Sequence, residues 1–151
     1  MLRDRFKDDL KAAILAKDQC ATATLRLIVA ALKDRDIAAR GKGRPEGIDD
    51  DEIVALLQTM IKQRRESIDL YERGGRLELA QQEAEEIKLI ERFLPAQMAG
   101  PEIASAVTAL IAELGAGSLK DMGRVMAELR GRYAGRMDFS KASALVKRQL
   151  S

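Results

Sequence analysis

The chain has no histidine and one cysteine, Cys20, and these two facts restrict the chemistry open to it. A serine or cysteine nucleophile at neutral pH ordinarily passes its proton to an adjacent base, most often histidine. Cys20 stands beside Ala21, Thr22 and Ala23 near a helix start. The field of a helix N-terminus favours a thiolate, but without a base the residue reads as a small filler. A lone cysteine also excludes an internal disulfide and a cysteine-based zinc site, and it suits a reducing compartment. Asp49-Asp50-Asp51-Glu52 offers the hard oxygens that magnesium takes. Acids opening a helix are also what the helix dipole selects, and that structural reading is preferred. Glu83, Glu85 and Glu86 read as a solvated helix face. Gly41-Lys42-Gly43 has neither a following Ser or Thr nor a preceding strand, so it is not a P-loop. No glycine-rich turn follows a strand, as a dinucleotide site requires. The expectation is therefore no catalytic residue, no metal site and no cofactor.

The basic residues say more. The net charge of +2 hides an uneven distribution: residues 1–48 hold eleven basic and seven acidic side chains, residues 49–114 seven and fourteen, residues 115–151 eight and three. Such asymmetry points to a polyanion partner for the basic end. The eight are Lys120, Arg124, Arg130, Arg132, Arg136, Lys141, Lys147 and Arg148, the candidate RNA-binding residues. Arginine forks suit phosphate oxygens, and helix N-termini at Ser118 and Asp138 would add backbone donors. Tyr133 and Phe139 are the only aromatics among them, and Phe139 reads as core. That is too few for base stacking, so any nucleic acid would be read by its backbone and shape. Earlier in the chain, Arg64 falls close to an apolar stripe, where an internal carboxylate from another helix is the competing reading to a functional one.

These residues must be positioned by helices. The palette is rich in Ala, Leu, Glu, Lys and Arg, with three prolines and no tryptophan, a composition that suits helices and not sheets. Helical spacing links Leu2, Phe6, Leu10, Ala13 and Ile14, then Leu25, Ile28, Val29 and Leu32, with Asp18 starting or bending the helix between them. Residues 41–47 read as a loop. Asp49 and Glu52 form a capping-box pattern for a long helix through Ile53, Leu57, Met60, Ile61, Ile68 and Tyr71, closed by Gly74-Gly75. A fourth helix spans about Arg76 to Arg92, stopped by Leu94-Pro95. Pro101 suits a first helical turn, and Ile103, Ala106, Val107, Leu110, Ile111 and Leu114 form the next stripe. Ser118, with Asp121 three later, reads as the cap of a helix carrying Leu119, Met122, Val125, Met126 and Leu129 and closed by Gly135. Asp138 reads as the cap of a last helix facing inward with Phe139, Ala142, Val146 and Leu150. The fold class is all-α: an N-terminal four-helix bundle, residues 1–95, followed by a C-terminal three-helix bundle, residues 96–151. No apolar run approaches the ~20 residues of a membrane span, and acids among Met1–Asp9 do not suit a signal or transit peptide. A cytoplasmic protein without a membrane partner is expected.

The blocks Thr24-Leu25-Arg26-Leu27, Lys62-Gln63-Arg64-Arg65-Glu66-Ser67-Ile68, Tyr71, Gly74, Arg76, Leu79-Ala80, Glu83, Glu86-Ile87, Leu94-Pro95, Lys120-Asp121-Met122-Gly123-Arg124-Val125-Met126 and Gly135-Arg136-Met137-Asp138 follow one another in an order and spacing that resembles the GatB/YqeY family over nearly the whole chain. The resemblance implies a four-helix bundle joined to a three-helix bundle, similar to the C-terminal tail of the glutamyl-tRNA/aspartyl-tRNA amidotransferase B subunit. It implies tRNA as partner, because that tail is implicated in holding the outer corner of tRNA, and an amidotransferase or tRNA synthetase as a possible protein partner. The catalytic region of the larger subunit has no counterpart here. The chain departs from the pattern where Gly135-Arg136-Met137-Asp138-Phe139-Ser140-Lys141 replaces Gly-Arg-Ala-Asp-Gly-Lys. Met137 and Phe139 are bulkier and one position is added, so the resemblance does not carry over how the turn presents Arg136 and Lys141. The expected function is a non-catalytic tRNA-binding accessory module. The alternatives are a carbon–nitrogen ligase with glutamine as amido-N-donor, which would need a nucleotide site and a nucleophile, and a helical protein-interaction adaptor using the acidic middle segment.

Overall fold

The helical periodicity becomes seven α-helices and no strand, in a computed structural model that describes residues 1–151. They are α1 (Leu2–Leu15), α2 (Gln19–Gly41), α3 (Asp50–Arg73), α4 (Leu77–Glu91), α5 (Gly100–Leu114), α6 (Met122–Tyr133) and α7 (Phe139–Leu150), with a 3₁₀ turn at Leu119–Asp121 ahead of α6. The chain divides into two compact units, Met1–Leu94 and Pro95–Ser151. No single helix is long and apolar enough to cross a membrane.

In the first unit α1 packs on α2 and α3 on α4. Phe6, Ile28, Ile53, Leu57 and Ile90 are wholly buried at its centre, each stabilising the fold by roughly 1.5–3 kcal/mol through area removed from water. Phe6 meets Phe93 edge to face, with ring centroids 4.9 Å apart. The helix starts follow local chemistry. The Asp18 carboxylate accepts from the Ala21 N–H at the head of α2. At α3 Asp49 accepts from the Glu52 N–H while Glu52 accepts from the Asp49 N–H, a reciprocal capping box. The end of α3 needs a left-handed residue, and Gly75 supplies it with φ +72°.

The second unit closes around Ile103, Val107, Leu110, Val125, Met126, Leu129, Met137, Ala142, Val146 and Leu150. Pro101 lies in the first turn of α5, where its missing N–H breaks no helical bond. The Asp138 carboxylate caps α7 by accepting from the Ser140 and Lys141 N–H groups. One local expectation changes. Ser118 makes no side-chain cap; instead Asp121 reaches back and accepts from the Gly117 N–H at 3.0 Å. Phe139 packs against the core but is only partly buried, and Met137, 1 % exposed, lies deeper.

Candidate nucleic-acid interface

The eight basic side chains of the second unit divide by what surrounds them. Arg132 on α6 grips α5 through a fork: Nη1 and Nη2 each donate to a different oxygen of Glu113 at 2.9 Å, and Nε donates to Glu128 at 2.9 Å. These bonds hold the Arg132 pKa above its ordinary value and pull Glu113 below the usual carboxylate range. Arg124 pairs with Asp121 at 3.2 Å. Arg136 donates from Nε to the Ala96 carbonyl at 3.2 Å. There it joins Gln97, which donates to the Gly135 carbonyl at 2.6 Å, and the Met98 N–H, which donates to the Arg136 carbonyl at 2.9 Å. Together these bonds stitch residues 96–98 to the α6–α7 turn. Arg130 lies over the Phe139 ring, 6.0 Å from its centroid.

Lys120, Lys141, Lys147 and Arg148 are exposed and form no ion pair. The last three share α7, which contains no acidic residue. At 3.6 residues per turn, Lys141 and Arg148 lie on the strip opposite Ala142, Val146 and Leu150, and Lys147 flanks it. The helix N-termini do not add the expected phosphate donors. At α7 the Asp138 carboxylate already occupies the Ser140 and Lys141 N–H groups, and at the 3₁₀ turn Asp121 occupies that of Gly117. A negative side chain at each end also repels an anion.

Several of the charged groups singled out in the first unit are committed internally. Arg64 on α3 donates from Nε to Glu86 on α4 at 3.1 Å and from Nη1 to the Met60 carbonyl at 3.2 Å, with Glu83 3.9 Å away. The Arg64 and Glu86 side chains are only 12 % and 14 % exposed. The internal-carboxylate reading of Arg64 therefore holds. Glu86 is not part of a solvated face and neither is Glu83, whose pKa burial and the Glu86 carboxylate raise; Glu85 is exposed. At Asp49–Glu52 the acids cap α3, and Glu52 pairs with Arg44 at 2.5 Å. No three acid, cysteine or histidine side chains converge as a metal site requires. Cys20 is exposed, and desolvation together with Glu85, Glu86 and Asp18 pushes its thiol pKa up, the opposite of an activated thiolate.

One buried polar site was not read from the sequence. Asp36 on α2 is 8 % exposed and accepts from Arg3 Nη2 at 2.5 Å, from Arg3 Nε at 3.2 Å and from the Ile48 N–H at 2.9 Å. Arg3 Nη2 also donates to the Ile48 carbonyl at 2.6 Å. Asp36 follows Leu25, Ile28 and Leu32 on one helical phase, a signal that was present in the spacing. An open cleft of about 640 Å³ beside this pair is lined by Arg3, Arg44, Asp49 and Asp50 among others. Both arginines already serve carboxylates.

The profile of the Yqey-like protein family matches residues 3–150. The chain belongs to this family. Among curated relatives, the protein named "Altered inheritance of mitochondria protein 41, mitochondrial" from Eremothecium gossypii is 34 % identical over 111 residues, covering 72 % of this chain and 58 % of that protein. Its namesake from Lachancea thermotolerans is 33 % identical over 89 residues, covering 59 % and 46 %, and one from Saccharomyces cerevisiae is 30 % identical over 89 residues, covering 59 % and 46 %. The chain spans about half the length of these relatives.

Proposed function

We propose that this Yqey-like chain is a non-catalytic accessory module that binds tRNA through its phosphates, with a four-helix bundle as scaffold and a three-helix, tRNA-binding-like bundle as contact surface. The observation that supports this reading is the set of exposed cations in the second unit that form no ion pair, beside the commitment of its acids. Glu113 and Glu128 serve Arg132, Asp121 serves Arg124, and Glu102 and Asp138 sit at the heads of α5 and α7. The cations that form no ion pair therefore have none of these acids as a direct partner. Tyr133 and Phe139 pack against the core of this unit, which leaves no platform for stacked bases.

Neutralising phosphates releases condensed counterions, so affinity should fall with salt by about 0.7–0.9 log units per contact per log unit of salt. With three or four cations engaged, a log–log slope of roughly −2 to −4 is expected on folded tRNA, with weak sequence preference. Affinity measured from low to physiological salt tests this, and no binding at low salt would reject it.

An adaptor is the second reading. Leu70 and Leu77, near the α3–α4 connection, are 66 % and 67 % exposed, unusual for large apolar side chains and suited to a protein partner. A carbon–nitrogen ligase finds less support, since Cys20 has no base and its thiol is held protonated. The isolated chain is expected to show no hydrolytic or amidotransferase turnover. Turnover that disappears in Cys20→Ala would overturn that. The compartment is a reducing interior: cytoplasm on composition, a mitochondrion if the relatives' names are the guide.

A further inference from the structure

We infer that α7, with Lys141 and Arg148 at its centre, is the helix that docks on the phosphate backbone, and that Arg124 and Arg132 of α6 are framework residues outside the contact. This rests on the tRNA-binding reading and says which cations carry it.

Three observations converge on α7. It has no acid in its twelve residues, and its three cations form no ion pair. An unpaired ammonium or guanidinium needs to surrender only water to reach a phosphate, whereas Arg132 would have to leave three hydrogen bonds to two carboxylates. Second, Lys141 and Arg148 are seven residues apart on one outward strip, about 10.5 Å along the axis. That row can follow a phosphate strand without bending it. Third, the apolar side of α7 is closed, with Ala142, Val146 and Leu150 buried in the unit's own core. A basic amphipathic helix that enters a membrane interface needs that side free, so the partner is a polyphosphate chain and not a lipid surface. The 3₁₀ turn carrying Lys120 packs against α7, which places a fourth cation on a neighbouring element. The absence of a stacking platform points further to a double-helical backbone, read by charge and shape.

The test uses the full chain and two charge-matched variants, Lys141→Gln with Arg148→Gln, and Arg124→Gln with Arg132→Gln. Each removes two positive charges, and glutamine keeps helix propensity. Circular dichroism establishes that both remain helical. The probes are folded tRNA, a short RNA duplex, a single strand of equal length, and vesicles of anionic lipid. The α7 variant should flatten the salt slope by about 1.4–1.8 on tRNA and duplex alike, the value for two lost contacts. The α6 variant should keep the wild-type slope to within about 0.5 while unfolding at lower denaturant. An unchanged slope in the α7 variant with a flattened one in the α6 variant would overturn the assignment and leave tRNA binding standing. Wild-type protein that binds no RNA at low salt would remove both. Binding to vesicles that depends on Lys141 and Arg148 and exceeds binding to RNA would replace the partner class.

Discussion

Gly47→Ala is expected to destabilise the first unit by about 2–4 kcal/mol, far more than the same change at Gly43. Both glycines have left-handed backbones, with φ +81° and +87°, and alanine costs roughly 1–2 kcal/mol in that region. The surroundings differ. A Cβ at Gly43 meets nothing within 4 Å, whereas one at Gly47 falls 2.2 Å from Asp36 Oδ1 and 3.0 Å from Arg3 Nη2. Asp36 cannot swing aside without giving up Arg3 and the Ile48 N–H, and a largely buried carboxylate separated from its partners is costly. Because the Arg3 side chain is 26 % exposed, water offsets part of that loss, which keeps the estimate below the full cost of a dry broken pair. Urea midpoints of the two variants check the prediction, and equal losses would contradict it. The same pair sets a pH dependence. The Arg3 hydrogen bond, with the Ile48 N–H, holds the Asp36 pKa below its ordinary value. Its contribution is present in full above about pH 4, the unfolded carboxylate value, and is lost as pH falls through the lower folded value. Asp36→Asn should therefore show a shallower loss of stability than the wild type as pH falls below about pH 4.

Met137→Ala should undo the second unit and leave the first intact. Met137 is 1 % exposed among Val125, Leu129, Ala142 and Val146, and truncating a buried methionine costs about 2–5 kcal/mol in lost transfer energy plus cavity. A unit spanning only residues 95–151 has little stability to spare, since small domains bury proportionally less surface. Alanine is the residue expected at this position from the family pattern, so the substitution tests whether this chain's core has grown around the larger side chain. Segment-resolved hydrogen exchange should show protection falling across α5–α7 while α1–α4 keep theirs. Undiminished protection in α5–α7 would show that the cavity closes on itself.

Much of the fold was legible because its determinants are local. Asp18, Asp49 and Asp138 satisfy N–H groups two or three residues away, Pro101 lies within the first turn of α5, and Gly75, Gly115 and Gly135 take the left-handed turns just past helix ends. Each depends on a few neighbouring positions, so residue type and spacing are enough. Ser118 shows the limit even there: it stands three residues before Asp121 in a capping pattern, and only geometry showed that the Asp121 carboxylate makes the bond and the Ser118 hydroxyl does not.

The long-range polar partnerships were not legible, because they join residues far apart in sequence, unlike the local pairs Arg124–Asp121 and Arg132–Glu128. Arg3 meets Asp36 across 33 positions, Arg64 meets Glu86 across 22, and Arg132 meets Glu113 across 19. From composition alone, eight cations in the C-terminal segment looked equivalent. Packing made them unequal: the face of α6 next to α5 brings two acids to Arg132, while the outward strip of α7 brings none to Lys141 and Arg148. The sequence by itself determined that this protein is helical, where its helices begin and end, and that its basic charge gathers at one end. Which of those charges remain available to a partner was decided by the tertiary structure, because a charge is neutralised by what lies within a few ångströms of it and not by what adjoins it in the chain.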